Sequence, residues 1–211
     1  MNKTELKKAF DEGIISEERY KQELFTLATA PKPKLVRRKF PVCVSFEEFI
    51  KIMKVTKNKR HKLAFLLGWM CGLRISEAIK LPPPSEEDIR YKRLTIENAK
   101  GGKDRTVSLP KGFKMEYLSL MPLRNHFKTE GSAIRSIQIA FKREATRAGI
   151  TEYKPTVHFH SLRHGFATHG LNKGIPIHDV RTLMGHANIS TTNIYLEANP
   201  KRAMENYQDL F

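Results

Sequence analysis

The stretch HKLAFLLGWMCGLRISEAIKL, residues 61–81, decides the fold because a strongly apolar segment runs directly into a charged turn. Residues 61–71 predict a helix at the centre of the core. Arg74 and Glu77 follow just after a glycine. A guanidinium at the edge of a core costs free energy unless an anion pairs with it. Glu77 and a phosphate group are both candidates, so this turn is either a structural ion pair or part of an anion site.

On both sides of this stretch the sequence predicts further helices and one hairpin. Ser45 is placed to cap a helix over FEEFIKIMK, and RYKRLTIEN and DRTVSLP alternate β-favouring and polar residues around Gly101-Gly102. More helices are predicted over residues 131–148, 160–173, 176–184, about 190–197, and from Pro200 onward. The sequence therefore predicts a mainly α fold with a small antiparallel β-sheet, an α+β architecture.

The first 43 residues predict two segments of different character. NKTELKKAF and SEERYKQELFTLA predict a short helical hairpin over residues 1–30, with Ser16 as an N-cap. Residues 31–43 are rich in proline and basic side chains, which oppose helix and burial and predict an extended linker. We expect the main domain over residues 44–211, ending in a tail helix over residues 200–211.

The charge of the chain is strongly positive and unevenly spread. Thirty-eight Lys and Arg against twenty-two Asp and Glu leave a net charge of +16, which attracts polyanions. Nucleic acid is the first partner to consider, although a basic surface for solubility alone gives the same net charge. The surplus is concentrated in residues 31–62. Candidate DNA contacts in this block and in the predicted hairpin are Lys32, Lys34, Arg37, Arg38, Lys39, Lys57, Lys59, Arg60, Lys103 and Arg105.

The composition argues against a membrane or secreted protein. No segment approaches the roughly 20 apolar residues of a membrane span, and the N-terminus lacks the apolar run of a signal peptide. Cys43 and Cys71 show neither metal nor disulfide spacing. We therefore expect a cytoplasmic protein in a reducing compartment, nucleoid-associated if its source is prokaryotic.

The segment HFHSLRHGFATHG, residues 158–170, predicts a helix with several cationic donors. His160 lies three residues before Arg163 and four before His164, so the three side chains share a face, and Leu162 and Phe166 would turn inward. Each histidine alone is equally compatible with a core or surface role. No acidic residue sits between His160 and His164 as in HEXXH, and no third ligand follows. We expect no metal and no cofactor.

Two further segments carry reactive side chains. The predicted hairpin tip presents Lys100 beside the two glycines, as a basic finger that reaches a phosphate or as an ordinary solvated turn. In LMGHANISTTNIY, residues 183–195, Gly185 ends one helix and His186 follows it. Ser190 can cap the next helix, which carries Tyr195 in its second turn. A lone tyrosine on a short helix is usually a packing residue, so its role depends on the other segments.

Taken in order, these segments resemble the tyrosine recombinase/integrase family, specifically a Xer-type or phage-type catalytic domain. GLRISE is similar to its first arginine box, HSLRHGFATH to its second, and LMGHANISTTNIY to its nucleophile box, over roughly residues 44–200. The resemblance implies a catalytic set with Glu77 in support, and it favours Lys100 over Lys103 because the family lysine directly precedes the glycine turn. The implied catalytic residues are Arg74, Lys100, His160, Arg163, His186 and Tyr195.

The residue types suit metal-independent and ATP-independent phosphoryl transfer. Two arginines bind the nonbridging phosphate oxygens through permanently charged guanidinium groups, each with paired N–H donors. Tyrosine has an ordinary pKa near 10, so a histidine base and nearby cations must help it lose its proton, and a mobile lysine can protonate the departing 5′ oxygen. A phosphotyrosine bond keeps the energy of the broken phosphodiester. The expected activity is therefore site-specific DNA cleavage and rejoining through a 3′-phosphotyrosyl intermediate.

The resemblance also implies double-stranded DNA as partner and a homo-oligomer on DNA, a dimer or tetramer, with exchange of the tail helix between protomers. Packing of the tail on its own domain is the alternative. We expect the hairpin in residues 1–30 to be too short and too acidic to replace the family's N-terminal core-binding domain. A minimal enzyme, a mobile-element remnant and a partner-dependent enzyme therefore stay open. Competing functions are a non-cleaving regulator of a full-length recombinase and a type IB topoisomerase-like nicking and rejoining enzyme.

Overall fold

A computed structural model of the chain describes residues 3–29, 41–97 and 104–185. The chain divides into two compact units, Met1–Lys39 and Phe40–Phe211. The predicted linker up to residue 40, the hairpin tip, the helix that carries Tyr195 and the tail helix lie outside the described residues.

The first unit contains the two helices that its sequence predicts. Helix α1 spans Lys3–Asp11 and α2 spans Glu17–Thr29. The Ser16 hydroxyl accepts a hydrogen bond from the backbone N–H of Arg19 at 3.4 Å, as an N-cap does. The rings of Phe10 and Tyr20 stack with their centroids 4.6 Å apart, which joins the two helices through an apolar contact.

The described part of the second unit is mainly helical. None of the helices described in either unit has the length and apolarity that a membrane crossing requires. The α-helices of the second unit are α3 (Phe46–Val55), α4 (Lys59–Met70), α5 (Ile75–Lys80), α6 (Glu86–Arg90), α7 (Glu130–Arg147), α8 (His160–Asn172) and α9 (Ile177–Met184). Short 3-10 helices occupy Met115–Leu120, Leu123–His126 and Ile150–Glu152.

The predicted hairpin forms a two-stranded antiparallel sheet. Strand β1 spans Arg93–Ile96 and β2 spans Arg105–Ser108. The register places Arg93 opposite Ser108 and Ile96 opposite Arg105. Because side chains alternate between faces, Arg105 shares the buried face of β2 with Val107. The predicted α+β class, mainly helical with one small sheet, is confirmed.

Helix α4 lies at the centre of the core, as its apolar sequence predicts. Residues 63–69 are all buried, and α4 packs against α3, α5, α7 and α8. Gly165 lets α8 approach closely, because a Cβ at this position would collide with the carbonyl oxygen of Val44. That carbonyl accepts a hydrogen bond from the indole N–H of Trp69 at 3.0 Å. The close packing of α4 and α8 holds the segments after Gly72 and around Arg163 in one region.

The ends of the helices follow the predicted capping residues. The Ser45 hydroxyl accepts from the backbone N–H of Glu48, and the Glu48 carboxylate accepts from the backbone N–H of Ser45. This reciprocal capping box confirms Ser45 as the N-cap of α3. At the other end of the domain, Gly185 stops α9 in the left-handed conformation with φ of 63°.

A candidate phosphate-binding active site

Arg74 and Glu77 form the turn that leads from the core helix into α5. The backbone N–H of Arg74 donates to Oε2 of Glu77 at 2.8 Å, and Nη1 of Arg74 donates to Oε1 at 2.9 Å. The sequence left a structural ion pair and an anion site as alternatives, and the ion pair is present. The Arg74 side chain nevertheless keeps 24% of its surface exposed, so it also reaches the solvent side of the site.

The Glu77 carboxylate lies among arginines from three separate segments. Arg105 holds it with two hydrogen bonds, from Nη1 to Oε1 at 3.0 Å and from Nη2 to Oε2 at 2.7 Å. Nη1 of Arg163 lies 3.9 Å from Oε2. Burial by itself raises the pKa of Glu77, but the hydrogen bonds and charges of Arg105 and Arg74 outweigh it and lower the pKa to about 2. Glu77 is therefore ionised at neutral pH, and these four side chains together remain positively charged.

The same arginines bind the carboxyl end of α9. The backbone carbonyls of residues 183–185 accept, in order, from Nε of Arg105 at 3.0 Å, from Nη2 of Arg163 at 2.7 Å and from Nη2 of Arg74 at 3.3 Å. The last carbonyls of a helix have no partner within the helix and carry a partial negative charge, so cations stabilise them. Side chains far apart in sequence thereby converge on the three residues that precede His186.

Arg163 is more deeply buried than the sequence predicts. We expected it on a donor face together with His160, with the opposite face turned inward. Instead Arg163 is 1% exposed, and its Nη1 donates to the carbonyl of Gly72 at 2.5 Å. The predicted inward residue Leu162 is buried as well. Arg163 is buried because α8 packs against α3, α4 and α9, and the carbonyls of Gly72 and Met184 accept hydrogen bonds from its guanidinium.

His160 lies at the exposed start of α8, beside the arginines. Its ring meets that of His164 edge-on, with the centroids 4.8 Å apart. Although the residue as a whole is exposed, neighbouring groups partly desolvate the imidazole. This desolvation and the charges of Arg163, His158 and Arg74 lower its pKa to about 4. His160 is therefore neutral near pH 7, the form that a general base requires, although the lowered pKa also makes it a weaker base.

The depressed pKa of His160 gives a direct prediction. Ring-proton NMR of the free protein should show His160 titrating near 4, and Arg74→Ala should move the midpoint upward because one repelling charge is lost. Neutral His160 favours the folded state above about pH 6.5, and this contribution is lost as the pH falls toward 4. Arg93→Ala, which removes a surface arginine of β1, should leave the midpoint unchanged. A midpoint at the ordinary value in the native protein would contradict the assigned environment.

A cleft of about 610 Å³ opens next to the arginine cluster. Its walls include Arg74 and Lys80 from the α5 region and Glu97 from the end of β1. Glu97 is the last described residue before the predicted hairpin tip. The chain therefore leaves the described structure after β1 at the edge of the cleft that Arg74 also lines.

The candidate DNA contacts on the described surface lie apart from this cluster or differ from expectation. Lys57 is exposed, Lys59 is exposed and paired with Glu116, and Arg60 is half-buried. Arg105, which we expected at a DNA-contacting surface, has only 6% of its side chain exposed and is bonded to Glu77. Its position indicates a supporting role within the site. The predicted residues outside the described part of the chain are Lys32, Lys34, Arg37, Arg38, Lys39, Lys100, Lys103, His186 and Tyr195.

The sequence contained a signal for the buried position of Arg105. In DRTVSLP, side chains alternate between the two faces of the strand, so Arg105 lies on the same face as apolar Val107. Because Val107 should face the core, the pattern predicts that Arg105 points inward as well. A buried guanidinium requires an anion, and Glu77 is such a partner. Within residues 3–29, 41–97 and 104–185, no three His, Cys, Asp or Glu side chains lie together in a metal-binding arrangement.

The fold and this cluster define a mainly α domain with a cationic site suited to phosphate. Residues 44–202 match the model of the phage integrase family. Tyrosine recombinase XerA of Pyrococcus horikoshii is 31% identical over 185 residues, which cover 81% of this chain and 61% of that protein. The chain belongs to the phage integrase family, the tyrosine recombinases. It spans about three fifths of the length of such curated relatives.

Solved structures show the same fold. The crystal structure of XerA recombinase matches with a TM-score of 0.62 at 22% identity, covering 98% of this chain and 81% of that one. XerH site-specific recombinase, bound to a palindromic difH substrate in a post-cleavage complex, matches with a TM-score of 0.60 at 23% identity. This match covers 80% of the present chain and 53% of XerH.

Proposed function

We propose that the protein is a site-specific DNA recombinase that cleaves and rejoins strands through a 3′-phosphotyrosyl intermediate. The observation that carries this proposal is the convergence of Arg74 and Arg163, 89 positions apart in the sequence, on one carboxylate and on the end of α9. Family membership supplies the reaction class, because the relatives that match over most of this chain are named tyrosine recombinases.

Arg74 and Arg163 form the phosphate clamp of this reaction, in which Arg74 is partly exposed and Arg163 must exchange one of its backbone-carbonyl partners for a phosphate oxygen. Attack on a phosphodiester builds negative charge on the nonbridging oxygens, and guanidinium groups already held in place stabilise that charge without reorganising. Glu77 orients Arg74 through its backbone N–H and its guanidinium. The excess of cations over this one carboxylate leaves the site ready for an anion.

The covalent step uses residues beyond the described ranges together with His160. The phenol oxygen of Tyr195 forms a bond to the scissile phosphorus while His160 accepts its proton, and the bond from phosphorus to the 5′ oxygen breaks. That oxygen leaves with the electron pair and takes a proton from Lys100. His186 directly follows Gly185, whose carbonyl binds Arg74, and it donates a hydrogen bond to the phosphate. Attack by a second 5′ hydroxyl reverses the chemistry and rejoins the strand.

Double-stranded DNA is the proposed partner, and the active form is a homo-oligomer on DNA with exchange of the tail helix over residues 200–211. The surplus of basic residues in 31–62 supports this partner, since such charge binds the phosphate backbone. The DNA in the XerH complex supports it as well. We assign catalysis to residues 44–211.

Adduct formation on nicked duplex DNA tests the proposal. Incubation with fragmented genomic DNA of the source, followed by sequencing of the covalently attached ends, identifies the cleavage site. A duplex of that sequence, nicked close to the cleavage site, should then trap the protein on the DNA. Cleavage releases a short fragment that carries the 5′ hydroxyl, and once this fragment diffuses away the strand cannot be rejoined. Recombinant products identify a recombinase, and relaxation without exchange identifies a topoisomerase-like enzyme. Binding without any adduct identifies the non-cleaving regulator and overturns the proposed function.

The clamp chemistry predicts that adduct formation continues without divalent cations. Two arginines already supply the charge stabilisation that a metal ion gives in other phosphoryl transfers. The rate of adduct formation in excess EDTA should stay within about twofold of the rate in magnesium, apart from the ionic-strength effect on DNA binding. The matched control adds magnesium–EDTA complex at equal ionic strength. Loss of activity in EDTA that added magnesium restores would contradict this mechanism.

A further inference from the structure

Arg105 has a position that DNA contact does not explain. It begins β2 with 6% of its side chain exposed, and every nitrogen of its guanidinium is bonded within the protein. Nη1 and Nη2 bind the two oxygens of Glu77, and Nε binds the carbonyl of Leu183. One planar group thus joins the base of the hairpin, the start of α5 and the end of α9. Bidentate pairing of this kind fixes orientation as well as distance.

We propose that Arg105 is a positioning residue that holds the Glu77 carboxylate and the end of α9 in the arrangement in which Arg74 and Arg163 meet a phosphodiester. This inference rests on the proposed function. Arg105 acts through its neighbours, since its own nitrogens are occupied by Glu77 and Leu183. It therefore differs from Arg74, whose guanidinium is partly exposed.

The end of α9 is shaped around this side chain. A Cβ at Gly185 would lie 2.8 Å from Nη1 and 3.1 Å from Cδ of Arg105. Gly185 also has φ of +63°, which L residues with side chains rarely adopt. The glycine therefore both ends the helix and leaves space for Arg105, whose removal would leave the Leu183 carbonyl without this donor.

The charges that face Glu77 make its ionisation depend on Arg105. Arg74 faces the carboxylate from the start of α5, Arg105 from β2, and Arg163 and His160 from α8. Burial raises the pKa of Glu77, and hydrogen bonding to Arg105 is the strongest influence that opposes it. Without Arg105, the pKa of Glu77 should rise, because burial is then opposed mainly by the hydrogen bonds of Arg74. A protonated Glu77 would lose one of its two hydrogen bonds to Arg74.

The experiment compares two variants. Arg105→Gln removes the charge and the paired guanidinium donors, whereas Arg105→Lys keeps the charge but loses the paired donors. Arg93→Gln is the matched control, because Arg93 lies on the partner strand and pairs with Asp88 and Glu87 at the surface. Single-turnover cleavage of the nicked duplex is measured across pH at saturating protein, with DNA affinity and its salt dependence measured separately. Thermal melting shows which variants fold, and NMR of ¹³C-labelled glutamate follows the ionisation of Glu77.

We expect Arg105→Gln to slow cleavage about 10- to 100-fold, as loss of a residue that supports active-site ligands does elsewhere. Its rate should also fall further below neutral pH, and the Glu77 carboxyl signal should titrate at higher pH than in the native protein. Arg105→Lys should remain slow but without the added loss at low pH. The dissociation constant should change by less than about threefold in both variants, and Arg93→Gln should cleave at the native rate.

Three results would overturn the proposal. One is that Arg105→Gln cleaves at the native rate with the native pH profile. If Arg105→Gln does not fold, the corresponding result is cleavage at the native rate in Arg105→Lys. Another is weaker DNA binding with a salt slope reduced by about one and normal cleavage at saturation, as for a phosphate contact. The third is a Glu77 titration that Arg105→Gln leaves unchanged. If the native protein forms no adduct, the proposed function fails, and the Glu77 titration still decides whether Arg105 holds this carboxylate.

Discussion

Tyr195→Phe should abolish the covalent protein–DNA adduct and leave DNA affinity within about threefold of the native value. The substitution removes only the phenol oxygen, which in the proposed mechanism is the atom that bonds to phosphorus. No other group replaces it at the same place, because the clamp arginines are permanently charged donors and not nucleophiles. The adduct is measured as a protein band of reduced mobility after denaturing electrophoresis with labelled DNA.

The matched control is Tyr207→Phe, which removes a phenol oxygen twelve positions later in the same C-terminal segment. We expect this variant to form adduct at the native rate. Mapping the modified peptide in the native protein should identify Tyr195 as the attached residue. Undiminished adduct in Tyr195→Phe, or attachment through another tyrosine, would refute the assignment of the nucleophile.

The second large effect is expected from loss of either clamp arginine. Arg74→Ala should slow cleavage about 10²- to 10³-fold, or about 3–4 kcal/mol, by analogy with the loss of one oxyanion donor. Arg163→Ala should cost at least as much. Single-turnover rates on the nicked duplex measure both losses, with protein concentrations high enough to saturate the DNA.

The two variants should differ in stability, because the two side chains differ in burial. Arg163 is 1% exposed and bonds to the carbonyls of Gly72 and Met184, so its removal leaves two buried acceptors unpaired, at about 1–3 kcal/mol each. Arg74 is partly exposed, so Arg74→Ala should change the free energy of unfolding less. Denaturant unfolding tests this order. A native cleavage rate in a folded Arg74→Ala protein would remove Arg74 from the mechanism.

Local pattern was sufficient for the longer described helices, the hairpin and the family. The apolar run of residues 61–71, the cap at Ser45 and the alternation in the hairpin each depend on neighbours a few positions away, so they could be read from the sequence. The family resemblance drawn from the arginine and tyrosine boxes was confirmed by the match over residues 44–202.

Tertiary structure alone decided which charges meet. The sequence named Arg74, Glu77 and Arg163 but could not rank the possible partners of each, because the pairing of ions depends on distance in space and not along the chain. The fold assigned Glu77 to Arg105 as well as to Arg74, and it buried Arg163 against the carbonyls of Gly72 and Met184. Periodicity specifies the face of a helix or strand on which a residue lies. Packing of those faces determines whether the residue binds phosphate, supports another side chain or remains a surface charge.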